Sequence, residues 1–169
     1  MPAPAVIDAL EFARSEQQLN GRLPVNSLKR LHDILSDTEG SIDYGLRGVR
    51  DEQNRPHLEL SLGGQLHLQC QRCLGRLDYA LAVTNTLRVI PRGAKVDEDL
   101  EAPEAPDVVE VDPELDVADL VEDEILLALP LAPRHPDGEC ESRISGQNEN
   151  AARQSAFDKL AALKRTQKH

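Results

Sequence analysis

The sequence predicts an α+β fold: an antiparallel β-meander packed against helices, with a cysteine knuckle at a hairpin turn and a C-terminal helix. Three observations carry this. Leu58, Leu60, Leu62, Leu66, Leu68 and Cys70 all fall on even positions, the period of two that a half-buried strand requires. Leu77, Tyr79, Leu81, Val83, Leu87 and Val89 then keep the odd phase, as a returning partner strand would. Finally, "DVADLVEDEILLALP" repeats its apolar residues at helical intervals and stops before Pro130.

Taken in order, the opening "AVIDALEFARSEQQLNGRLPV" shows no clean period and suggests a short helix near residues 8–16. "NSLKRLHDIL" spaces Leu28, Leu31, Ile34 and Leu35 as one helix face, with Pro24 upstream and Asn26 as N-cap, and "DTEG" at 37–40 ends it. From Ser41 the period changes to two: Ile42, Tyr44 and Leu46 alternate with polar residues, and "DEQNRP" makes a loop. A tight turn at Gly63–Gly64 would put Gln65, His67 and Gln69 on the apolar face, so one long strand over 57–70 is expected, its glycines marking a bend or bulge. Pairing across Gln71 and Arg72 sets Cys70 beside Cys73, Leu66 beside Leu77, Leu62 beside Leu81 and Leu60 beside Val83, with the third strand running to residue 90. The outer face then carries Arg47, His67, Gln69, Arg76 and Arg88, and solvent alone accounts for such a face in an antiparallel sheet.

Beyond an acidic loop at about 93–107, Val108, Val109 and Val111 suggest a short strand. The helix that follows has Asp116 as N-cap and a stripe of Val117, Leu120, Val121, Ile125 and Ala128 to cover the sheet. Leu126, Leu127 and Leu129 make its last turns apolar nearly all round, which implies burial on more than one side or a partner surface. In "SAFDKLAALKRTQKH", Phe157, Leu160, Ala161 and Leu163 share one helical face beside Lys159, Lys164, Arg165 and Lys168. The expected organisation is a single α+β domain over 1–133, a linker over 134–150 and a basic C-terminal helix over 151–169.

Charge is unevenly spread. The net charge is −11, yet fourteen Asp and Glu and no Lys or Arg lie between Asp97 and Glu124, so the rest of the chain carries a surplus of three positive charges. Such a block reads equally as a solvated run or as an interaction segment for a basic partner. No apolar run is long enough to cross a membrane and no leader pattern opens the chain, so a soluble, cytoplasmic protein is expected.

Three cysteines fit no closed disulfide framework. Cys70-Gln-Arg-Cys73 followed by Leu74-Gly75 has the form of a metal knuckle, and Cys140 with His135 would complete a Cys3His zinc site. Two reduced thiols beside a hairpin are the competing reading. A thiol oxidoreductase fits less well, because its CxxC opens a helix whose dipole favours the thiolate, whereas this one joins strands. Asp116, Asp119, Glu122, Asp123 and Glu124 could bind magnesium, but their spacing follows helix capping and a solvated face, so no catalytic residue and no small-molecule substrate are expected. With two Phe and two Tyr, a base-stacking platform is also improbable.

"CQRCLGRL", "LDVADLVEDEILLALPLAPRH" followed by Cys140, and "FDKLAALKR" together resemble the bacterial YceD family of large ribosomal RNA subunit accumulation proteins. "IDALEFAR" and "GRLPV" are similar to its proteobacterial branch. The resemblance implies a non-enzymatic role in synthesis, processing or stability of 23S rRNA, with no catalytic residue to carry over, and Cys140 falls where relatives carry cysteines. Two mechanisms follow. In one, Arg47, Arg72, Arg76, Arg88, Lys159, Lys164, Arg165 and Lys168 contact precursor rRNA; in the other, the acidic segment holds a ribosomal protein or assembly factor.

Overall fold

The computed structural model describes residues 5–94, 106–112 and 114–140. Five strands form one sheet: β2 (Gln18–Pro24), β3 (Ser41–Arg50), β4 (Pro56–Gln69), β5 (Arg76–Pro91) and β6 (Asp107–Val111), side by side in that order. The first four run antiparallel and β6 lies parallel to β5. A second, two-stranded sheet pairs β1 (Val6–Asp8) with β7 (Glu114–Asp116). Among the described residues the α-helices are α1 (Ala9–Arg14) and α2 (Val117–Ala128). The predicted α+β class is therefore observed, with the three-strand meander enlarged on both sides. Most of the acidic loop, residues 141–150 of the expected linker and the expected C-terminal helix lie outside the described residues.

The alternation that predicted β4 also sets its burial: Leu58, Leu60, Leu62, Leu66 and Leu68 are buried against α1, α2 and the segment 25–35. Each such side chain contributes roughly 2 kcal/mol. The hairpin register differs from expectation by two residues, since Leu62 faces Val83, Leu66 faces Tyr79 and Gln69 faces Arg76. A two-residue slip preserves the face of every side chain, so the alternation could not have detected it. Nor is there a bulge at Gly63–Gly64, where pairing to both neighbours is unbroken. Gly64 instead permits a close approach: a Cβ there would stand 2.9 Å from the Ser41 carbonyl and 2.7 Å from Ile42 Cδ1.

The helix expected over "NSLKRLHDIL" is replaced by two 3-10 turns, Val25–Ser27 and Lys29–Leu31, separated by Leu28 in a non-helical conformation. Tertiary pairing overrides the helical spacing here. Leu35 bridges to Leu68, the Ser36 N–H donates to the His67 carbonyl at 2.7 Å and the Gln69 N–H donates to the Ile34 carbonyl, which requires extended chain just after the turns. Leu28, Leu31 and Leu35 still reach the core, so the burial expected of them is met by another backbone.

Both helices are capped by an aspartate, Asp116 as expected and Asp8 in addition. Asp8 accepts from the Glu11 N–H and Asp116 from the Ala118 N–H, each satisfying a backbone donor of the first turn. On α2, Val117, Leu120, Val121 and Ile125 are buried, but Ala128 is exposed and ends the stripe early. The expected solvated acidic face is only partly so. Glu122 and Glu124 are buried, Glu122 accepting from the Arg30 backbone N–H and Glu124 from Asn85 Nδ2, while Asp123 pairs with the Arg30 guanidinium. These acids tie α2 to the turns and to β5.

Candidate metal centre

The knuckle is wider than a two-residue turn. Cys70 N–H donates to the Gly75 carbonyl and Leu74 N–H to the Cys70 carbonyl, both at 2.9 Å, with Leu74 in the left-handed region at φ 59°. This loop turns both cysteine sulfurs to one side. After α2, the chain passes Pro133, whose carbonyl accepts from the Gln71 N–H at 2.8 Å, and His135 and Cys140 are brought against the knuckle.

The ligand atoms of Cys70, Cys73, His135 and Cys140 lie within 4.8 Å of one another. Cys70 Sγ is 3.7 Å from Cys140 Sγ, and His135 Nδ1 is 3.5 Å from Cys73 Sγ and 3.7 Å from Cys140 Sγ. A tetrahedral thiolate–imidazole site has edges of about 3.5–3.8 Å. The sulfurs are too far apart for a disulfide, whose bond is about 2.05 Å, and all three cysteines are free. His135 Nε2 is 2.9 Å from the Arg76 carbonyl, which can only accept. In the neutral ring the proton is therefore held on Nε2 and the Nδ1 lone pair is left for a ligand, the orientation usual for a metal-bound histidine. The four groups thus could hold a metal ion.

Burial would push the Cys70 thiol up, but hydrogen bonds from the backbone of Cys73, His135 and Arg72 bring it down to about 5. Cys73 is raised: the Gly75 backbone hydrogen bond lowers it, but burial and the neighbouring Cys70 and Cys140 sulfurs prevail. His135 is raised by Cys140 first, then by Cys70 and the Arg76 carbonyl.

The predicted arginines are scattered over different surroundings. Arg47 pairs with Glu59 through Nε at 2.9 Å, and Arg76 pairs with Asp78 at 3.0 Å. Arg72 reaches Cys140 and Asp137. Arg88, expected on the wet face, is buried beside an equally buried His57 in the register partner position, which removes it from the accessible set. Lys159, Lys164, Arg165 and Lys168 lie outside the described residues. The contact of Arg72 with a ligand sulfur was not anticipated, although its place inside the Cys-x-x-Cys spacer was the available signal.

Beneath the knuckle, Asp37 accepts from His67 Nδ1 at 2.6 Å, and Arg76 NH2 donates to His67 Nε2 at 2.7 Å. The His67 hydrogen bond, opposed by burial and helped by the Glu39 backbone N–H, holds the Asp37 carboxyl below its usual range. A depressed folded value means the unfolded chain takes the proton more readily. The stabilisation is therefore complete above the ordinary aspartate value of about 3.9 and disappears as pH falls through the lower folded value. Asp37→Asn should melt below the wild type near neutral pH, with the gap closing under about pH 4. Melting curves across pH check this, and a gap unchanged in acid would contradict it.

The sequence profile described as "Large ribosomal RNA subunit accumulation protein YceD" matches residues 58–164. A protein of that name from Haemophilus influenzae is 28% identical over 173 residues, covering 95% of each chain. No solved structure matches. Because the profile runs from β4 through the knuckle and α2 and past all four ligand-bearing positions, the chain belongs to the YceD family.

Proposed function

We propose that this protein is a non-enzymatic cytoplasmic factor in the synthesis, processing or stability of 23S rRNA, and so in building the large ribosomal subunit, and that it binds precursor rRNA. Membership of the YceD family is the observation that carries this reading. Consistent with a cytoplasmic protein, no helix among the described residues is long and apolar enough to cross a membrane. Arg47 and Arg76 make exposed ion pairs, which are worth little in water, so a phosphate can displace Glu59 or Asp78 at small cost. Lys159, Lys164, Arg165 and Lys168 supply the larger share of the attraction. Replacing these four by alanine should reduce precursor 23S rRNA recovered by crosslinking from growing cells at least about tenfold, and flatten the salt dependence of binding by up to about three logarithmic units per decade of salt. Unchanged recovery would overturn the direct-contact reading. Arg72 is left intact in this test because it touches Cys140.

The pairing of the sheet arginines with acids, together with the net charge of −11, favours a second reading as an acidic adaptor that holds a basic ribosomal protein or assembly factor. Deleting residues 97–107 would then release that protein, whereas under direct contact it would leave RNA recovery intact.

The metal cluster is read as a structural zinc site. Three thiolates and an imidazole in a closed four-ligand set suit zinc, and the site fastens the segment after α2 to the hairpin.

A further inference from the structure

We propose that Arg72 is a positioning residue of the metal centre, its guanidinium hydrogen-bonding the Cys140 thiolate, balancing the charge of the loaded site and slowing loss of the ion. This rests on the zinc reading above. Three thiolates and a neutral imidazole around a divalent ion leave one negative charge at the site. Arg72 brings a permanent positive charge to it. Its Nε–H donates to Cys140 Sγ at 3.0 Å and its NH1 to Asp137 Oδ1 at 3.1 Å, while its backbone N–H is 3.5 Å from Cys70 Sγ. One residue therefore touches sulfurs from both halves of the ligand set, which come from parts of the chain nearly seventy positions apart.

Asp137 is itself fully exposed, so its carboxylate makes no packing contribution that its removal would confuse. It engages one nitrogen of the guanidinium and leaves Nε directed at the sulfur. The planar fork of arginine makes both contacts at once, whereas the ammonium of lysine is a point charge without that geometry. A hydrogen bond to a coordinated thiolate withdraws electron density from the sulfur and makes it less open to attack, and outer contacts of this kind typically change metal affinity 10–100-fold.

The test uses the full chain loaded with one equivalent of zinc and follows transfer of the ion to an excess of a chromogenic chelator. Arg72→Ala should release zinc roughly 10–100-fold faster than the wild type, Arg72→Lys should fall between them, and Asp137→Asn should show a smaller acceleration. With cobalt in place of zinc, the sulfur-to-metal charge-transfer bands of Arg72→Ala should move to lower energy. Alkylation should accelerate at Cys140 more than at Cys70 or Cys73, a selectivity that general loosening of the fold would not produce. Wild-type release rates and bands in all three variants would overturn this inference while leaving the zinc site standing. A wild-type protein that retains no zinc would overturn both. Should Arg72→Ala fail to fold, the exposed Asp137→Asn and the conservative Arg72→Lys decide the question alone.

Discussion

Cys70→Ser is expected to abolish stoichiometric zinc and to lower the melting temperature by roughly 10 °C. Cys70 is fully buried and receives backbone hydrogen bonds that favour its thiolate, so it is the ligand least able to be replaced by water or by a neighbouring side chain. The size follows from chain entropy. A metal bridging Cys73 and His135, 62 positions apart, closes a long loop, and a cross-link over such a loop restricts the unfolded chain by about 4 kcal/mol. The sheet has its own leucine core, so the variant should remain folded and melt lower rather than collapse. Chelation of the wild type should reproduce the loss, and Cys70→Ser should no longer respond to a chelator. Zinc content and melting temperature equal to the wild type would remove the metal centre.

Gly48→Ala should destabilise by about 3 kcal/mol or more, with a lower urea midpoint and an unchanged slope. Gly48 lies on β3 where α1 crosses it. A Cβ there would fall on the Phe12 carbonyl oxygen and stand 2.7 Å from Ala13 Cα, and both are backbone atoms that cannot rotate away. Helix α1 would have to lift, loosening the buried Ala9, Phe12 and Ala13 and straining the bond from the Gly48 N–H to the Gln17 carbonyl. Gly63→Ala is the internal comparison. Nothing lies within 4 Å of a Cβ at Gly63 and its φ is not positive, so the substitution should be neutral or stabilise by about 0.5 kcal/mol through the unfolded state. Equal effects at the two positions would refute the assignment of close packing to Gly48.

Much of this architecture was legible because burial imposes a period. The even leucines of β4 located that strand to within a residue at each end, the odd apolar residues of β5 placed its end to within a residue but its start three residues early, and both patterns named the buried faces. Asp116 and Pro130 bounded α2 because a capping carboxylate and a residue lacking an N–H act locally. Strand β2 was missed although Leu19, Gly21 and Leu23 alternate through it, since two leucines separated by a glycine make a weak signal. The Cys70–Cys73 pair and its partners His135 and Cys140 were proposed from ligand chemistry, and the structure brings all four together.

Local chemistry, then, determined which residues alternate, which cap and which can ligate, because those properties depend on a residue and its near neighbours in the chain. Tertiary structure decided the rest. It chose between hairpin registers of equal parity, held Val25–Leu31 in 3-10 turns so that Leu35 could meet Leu68, buried Arg88, and turned Arg72 toward Cys140. Each of those outcomes balances contacts between segments tens of residues apart, and the free energy of such contacts depends on distances in space that no local pattern encodes.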